Sequence, residues 1–135
     1  MLNGIVKVKQ ISEREYVIGV NRIYLNEDNI VCVSNLGEEN EKSAIAMKEA
    51  YFKLANIVEG KTNVLIDLTN AGKSSPEARN IWKELTENEK TGKIALFGLH
   101  PVARVLATFV ITISKNKSMC FFNTKEEALS WLKEE

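Results

Sequence analysis

Cysteine is scarce in this sequence, net charge is absent, and no long apolar run occurs. The two cysteines, Cys32 and Cys120, both sit inside apolar, strand-like runs. Neither belongs to a CxxC pair or a Cys/His cluster, so they read as reduced core residues and not as a metal site or a disulfide framework. Lys plus Arg equals Asp plus Glu, 18 each. Without a basic run, the electrostatic footprint of a nucleic-acid binder is missing, and so is the polybasic signal that holds proteins on anionic membranes. No apolar segment reaches the length of a membrane span. The N-terminal MLNGIVKVKQ has neither a long apolar stretch nor a small-residue cleavage site, so it does not read as a signal peptide. These absences predict a cytoplasmic protein with no stable membrane anchoring, no nucleic-acid partner, no cofactor and no metal.

What is present is one domain's worth of chain, 135 residues with 44% hydrophobic and 27% charged side chains, enough for a core without a staple. Residues 5–11 partly alternate, Val6 and Val8 one way and Lys7 and Lys9 the other, which predicts a half-buried strand. Residues 16–20 and 23–25 carry further β-type side chains, Asn26-Glu27-Asp28-Asn29 is a turn signal, and Ile30–Val33 reads as a buried strand. The first third is therefore expected to be a β-meander.

From Glu41 to Val58 the spacing turns helical, with Ile45, Tyr51, Phe52, Leu54, Ala55 and Val58 apolar and Gly60 as the stop. Val64-Leu65-Ile66 is a continuous apolar strand of the kind buried on both faces. A second helix is expected from Pro76 to Lys90, with Ala78, Ile81, Trp82 and Leu85 as its stripe and Gly92 ending it. Residues 94–99 form another buried strand. A helix follows Pro101, a strand covers 118–123, and a last helix runs 125–134 behind a Thr124…Glu127 capping box. The order, a meander and then alternating helices and strands, predicts one α/β domain over 1–135 with a mixed, mostly parallel sheet, antiparallel N-terminal strands, and helices covering the sheet.

The stretch 63–79, NVLIDLTNAGKSSPEAR, tests for a phosphate cradle. Gly72-Lys73-Ser74 matches the end of a P-loop, but the first glycine would fall at residue 67, which is Asp67. A carboxylate there opposes the phosphates, and Pro76 lacks an N–H that an anion nest would use. No later strand ends in a Mg²⁺-binding acid, so nucleotide hydrolysis is not the expected chemistry. The other reading is a helix cap, either Ser75 ahead of Pro76 at the first helical position or Ser74 with Glu77 as a capping box. A serine there also sits at the positive end of the helix dipole, where an added phosphate is tolerated and could switch partner binding.

The meander with IVCV, the VLIDL strand leading to Ser74-Ser75-x-Glu77-Ala78-Arg79, then HPVARVLATF, and the close with Phe121-Phe122 and Glu127-Ala128-Leu129-x-Trp131-Leu132 resemble the SpoIIAA-like branch of the STAS superfamily, in the sub-group described as STAS/SEC14-like. The resemblance covers roughly residues 16–135. It implies a SpoIIAA-like fold and a non-enzymatic regulatory role, because its better-studied members are anti-sigma-factor antagonists. Those carry a phosphorylatable serine at the start of the helix after a strand ending in Asp, the place that Ser74 or Ser75 occupies here. They usually place Asp just before the serines and Gly just after; here the neighbours are Lys73 and Pro76. Asp67, Lys73, Ser74, Ser75 and Arg79 are accordingly the candidates for phospho-acceptor or partner-binding residues.

The 101–113 segment, PVARVLATFVITI, has Arg104, Thr108 and Thr112 on one narrow stripe and apolar residues round the rest, more than a helix on an exposed sheet face needs. Neighbouring helices, a homodimer contact or an apolar, lipid-like ligand would each account for the excess. Val105, Phe109 and Ile111 are the candidate apolar contacts. His100, beside Pro101, could serve as a base, yet only Asp67 offers itself as a partner and no nucleophile is nominated. The expected function is thus a non-catalytic cytoplasmic signalling module with an unknown protein partner. The alternatives are apolar-ligand binding and, as the weakest, an enzyme built on His100 and Asp67.

Overall fold

The computed structural model describes residues 6–98 and 118–134. Seven strands form one sheet: β1 (Val8–Ser12), β2 (Glu15–Ile18), β3 (Asn21–Leu25), β4 (Val31–Glu39), β5 (Thr62–Ser74), β6 (Thr91–Phe97) and β7 (Met119–Phe122). Their order across the sheet is their order in the chain. β1 through β4 pair antiparallel, and β4 through β7 pair parallel. Helix α1 (Glu41–Ala55) joins β4 to β5, α2 (Pro76–Glu87) joins β5 to β6, and α3 (Lys125–Lys133) follows β7.

Period-two alternation sends the strand side chains to two cores. Val31, Val33, Val64, Ile66, Ile94 and Leu96 meet Met47, Tyr51 and Leu54 of α1 and Leu85 of α2. Cys32, Leu65 and Ala95 point the other way, against Ala128 and Leu132 of α3. Because each crossover from β4 to β6 steps one place in the same direction, α1 and α2 lie side by side on one face. Fully buried Leu54, Met47 and Tyr51 each contribute on the order of 2 kcal/mol of apolar transfer. The small pair Ala95 and Ala128, both fully buried, lets α3 sit close to β6. The expected buried strands and the helices between β4 and β5, between β5 and β6 and after β7 are present, the helix expected after Pro101 lies outside the described residues, and the sheet is mixed with its antiparallel part at the N-terminus.

Local chemistry moves several boundaries. β1 is exposed along its whole length, with Val8 53% and Ile11 49% accessible, so it is an edge strand and not half-buried. α1 stops at Ala55 with Asn56 as C-cap, and Ile57 and Val58 close tight turns on Leu54 and Ala55. Gly60 takes φ 73° in the loop beyond those turns and does not itself end the helix. α2 ends at Glu87 with Asn88 as C-cap, and Gly92 lies inside β6. Ile45, expected on the apolar face of α1, is exposed; Ala44 and Met47 fill that face.

Candidate functional site

The largest departure from the sequence pattern is β5. The polar stretch after Leu68 continues the strand to Ser74, because β4 runs beside it: Leu36 pairs with Asn70, Gly37 with Ala71 and Glu39 with Ser74. Gly37 takes φ 80°, and a Cβ on Gly72 would stand 2.6 Å from the Gly37 carbonyl carbon. No side chain fits at residue 72 while the strands stay paired.

Each of the two strands passes into a helix through a single capping residue. Asn40 caps α1: its Oδ1 accepts from the Ser43 N–H at 2.9 Å, and Ser43 Oγ accepts from the Asn40 N–H at 3.0 Å. Ser75 caps α2: its Oγ accepts from the Ala78 N–H at 3.0 Å, with Pro76 at the first helical position. This decides between the two caps left open by the sequence. The Ser75 N–H donates to the Glu39 carbonyl at 3.0 Å, tying the two helix starts together. Both helices therefore direct the positive ends of their dipoles to this edge.

Ser74 is half-buried, and its hydroxyl has no hydrogen-bond partner among the described residues. Its carbonyl accepts from Arg79 Nη1 at 2.5 Å, so the Arg79 guanidinium lies beside the Ser74 backbone. Lys73 is exposed next to it. Asp67 stands apart. It pairs with Ser34 and Phe97 in the body of the sheet, seven residues and roughly 20 Å of strand before Ser74. Its Oδ1 accepts from both the N–H and the hydroxyl of Thr69, at 2.9 and 2.6 Å. Ser74, Ser75, Lys73 and Arg79 thus come together, and Asp67 does not join them. Val105, Phe109, Ile111 and His100 lie outside the described residues.

Glu39 escaped the sequence reading. In Gly-Glu-Glu-Asn it looks like surface, yet it is only 8% exposed. Its Oε1 accepts from the Trp82 indole N–H, and its Oε2 is buried with no partner among the described residues. Burial pushes the Glu39 carboxyl above the usual carboxylate range, and the Trp82 bond opposes the shift. The one signal that could have found it is Trp82 on α2, an indole whose N–H needs an acceptor when covered.

Elsewhere, an open hollow of about 470 Å³ is lined by Asp28, Lys61, Asn63, Lys133 and neighbours. Among the described residues no three His, Cys, Asp or Glu side chains cluster as a metal site, and no helix is long and apolar enough to cross a membrane.

The fold has solved counterparts. An uncharacterized protein of the DUF3478 family with a SpoIIAA-like fold, from Shewanella loihica PV-4, is similar at TM-score 0.60 and 17% identity, over 95% of this chain and 92% of that one. The anti-sigma factor antagonist SpoIIAA, in its unphosphorylated form, is similar at TM-score 0.57 and 11% identity, over 96% of this chain and 98% of that one. The expected SpoIIAA-like fold is thereby established; at these identities the likeness concerns fold alone. No curated protein matches the sequence. The family model described as a domain of unknown function, DUF7793, matches residues 23–135, and the chain belongs to that family.

Proposed function

We propose that this chain is a single-domain, non-catalytic regulatory module of the cytoplasm, of the anti-sigma-factor-antagonist type, read by a protein partner at the Ser74–Ser75 turn. The observation that carries the reading is the placement of Ser74 between a sheet edge and the N-terminus of α2, with Arg79 beside it. Ser74 is the better phospho-acceptor of the two serines, because the Ser75 hydroxyl already serves as the cap. A phosphate on Ser74 would bring nearly two negative charges to the Arg79 guanidinium and the helix dipole, and would change the surface a partner meets. The SpoIIAA likeness supports the same reading by fold. Homodimer formation or apolar-ligand binding through 101–113 rests on the sequence pattern of that segment.

The test is capture from the native host with the wild-type chain, Ser74→Asp and Ser74→Ala, followed by affinity measurement on the partner recovered. Ser74→Asp is expected to change that affinity at least about tenfold, with Ser74→Ala near wild type. Equal affinity for all three removes Ser74 from the reading.

A further inference from the structure

Among the described residues, Glu39 is the one buried acid, and it lies at the junction of β4, β5 and α2. Its backbone carbonyl holds the Ser75 N–H, and its side chain holds Trp82 two turns further along the same helix. One residue thus fastens α2 to the end of the sheet at two points. A buried carboxylate needs donors for both oxygens. Here Oε1 has the indole, while Oε2 has none among the described residues. A proton on Oε2 removes the charge and leaves Oε1 as a carbonyl acceptor for Trp82.

The charged side chains on the surrounding elements do not alter this. Glu38 precedes it on β4, Lys73 lies on β5, Glu41 and Lys42 open α1, and Glu77, Arg79 and Lys83 lie on α2. Arg79 is turned to the Ser74 carbonyl, and Lys83 pairs with Glu87 at 3.6 Å. Among the described residues only Trp82 hydrogen-bonds to the Glu39 carboxyl.

We propose that Glu39 is a proton-operated latch: as the neutral acid it holds α2 against the end of β4 through Trp82, and on losing its proton it lets the first turns of α2, with Ser74 and Ser75, move outward into water. Opening is favoured because the carboxylate gains hydration only when Trp82 lifts away. The device does not depend on the serine reading. A chain whose Ser74 is never modified would show it equally.

Trp82 supplies the reporter. In a Trp131→Phe chain its emission is expected to shift to the red in one single-proton transition lying above the usual carboxylate range, and Glu39→Gln in that background is expected to abolish the transition. A flat profile with Glu39 present, or the same transition in Glu39→Gln, overturns the latch. Should Glu39→Gln not fold, hydrogen exchange of the unsubstituted chain decides. With the intrinsic pH dependence removed, amides 77–80 should exchange about tenfold faster above the transition than below it, relative to those of α3. An equal ratio in both helices overturns the proposal.

Discussion

Tyr51 Oη lies 2.7 Å from Thr91 Oγ1 in the buried seam between α1 and β6. Thr91 Oγ1 donates onward to the Leu85 carbonyl at 2.9 Å, so Tyr51 is the donor in its own bond. A chain of two hydrogen bonds thus joins α1, the end of α2 and β6, and burial keeps the Tyr51 phenol neutral by raising its pKa. Tyr51→Phe removes one bond and leaves Thr91 still paired to Leu85, which should cost about 1 kcal/mol. Thr91→Val leaves the buried phenol without its acceptor, while the Leu85 carbonyl keeps the Asn88 N–H at 3.3 Å, and should cost about 2 kcal/mol. Urea denaturation of the two variants and their double mutant checks the order.

The close approach of Gly72 to Gly37 makes Gly72→Ala a backbone collision and not a matter of conformational freedom. The extended ends of β4 and β5 must part, at about 1–3 kcal/mol. Gly60→Ala meets open space but a φ of 73°, and should cost about 1 kcal/mol. Comparing denaturation midpoints with hydrogen exchange at residues 70–74 separates the two, because only Gly72→Ala should loosen that segment.

The two serines should separate in stability. Ser75→Ala removes the acceptor of the Ala78 N–H and should cost about 1 kcal/mol. Ser74→Ala should stay within about 0.5 kcal/mol of wild type. Thermal unfolding of both at one pH measures this.

The Glu39 carboxyl also sets a slope of stability with pH. Its folded pKa is raised by burial, so the folded chain binds more protons than the unfolded one and stability falls as pH rises. The loss begins near the ordinary glutamate value, about 4.3, and is complete above the raised folded value. Glu39→Gln keeps an acceptor for Trp82 without the charge. Its unfolding free energy should rise relative to wild type across that window and stay level above it. A constant difference from about pH 4 to about pH 9 would contradict this.

Asn63 fastens α3. Its Nδ2 donates to the Leu132 carbonyl at 3.0 Å and its Oδ1 accepts from the Lys93 N–H at 2.9 Å. Lys93 Nζ adds bonds to the carbonyls of Trp131 and Glu134, at 3.0 and 2.7 Å. Asn63→Ala should destabilise by about 1–3 kcal/mol, and limited proteolysis should then cut α3 before the rest.

The apolar strands and the starts of α2 and α3 were legible because their signals are local. Val64–Ile66 is continuous, Pro76 follows a serine, and Thr124 does accept from the Glu127 N–H at 3.2 Å. Residues 69–74 read as loop because strand patterns are judged by apolar alternation, whereas here the strand is held by pairing with β4 and by two glycines far apart in sequence. Glu39 drew no notice for the same reason: what covers it is Trp82, 43 residues later. Asp67 and Ser74 read as one turn because the sequence does not show that the intervening residues are extended. Gly92 read as a helix stop because a glycine after a helical stripe usually is one; Asn88 had already ended α2.

The sheet keeps its strands in chain order from β1 to β7. A chain leaving the ribosome can therefore lay each strand against a neighbour already synthesised, and no strand has to leave a gap for one still to come. Such step-by-step growth keeps its pairings between successive strands and limits the time an apolar edge stands open to other chains.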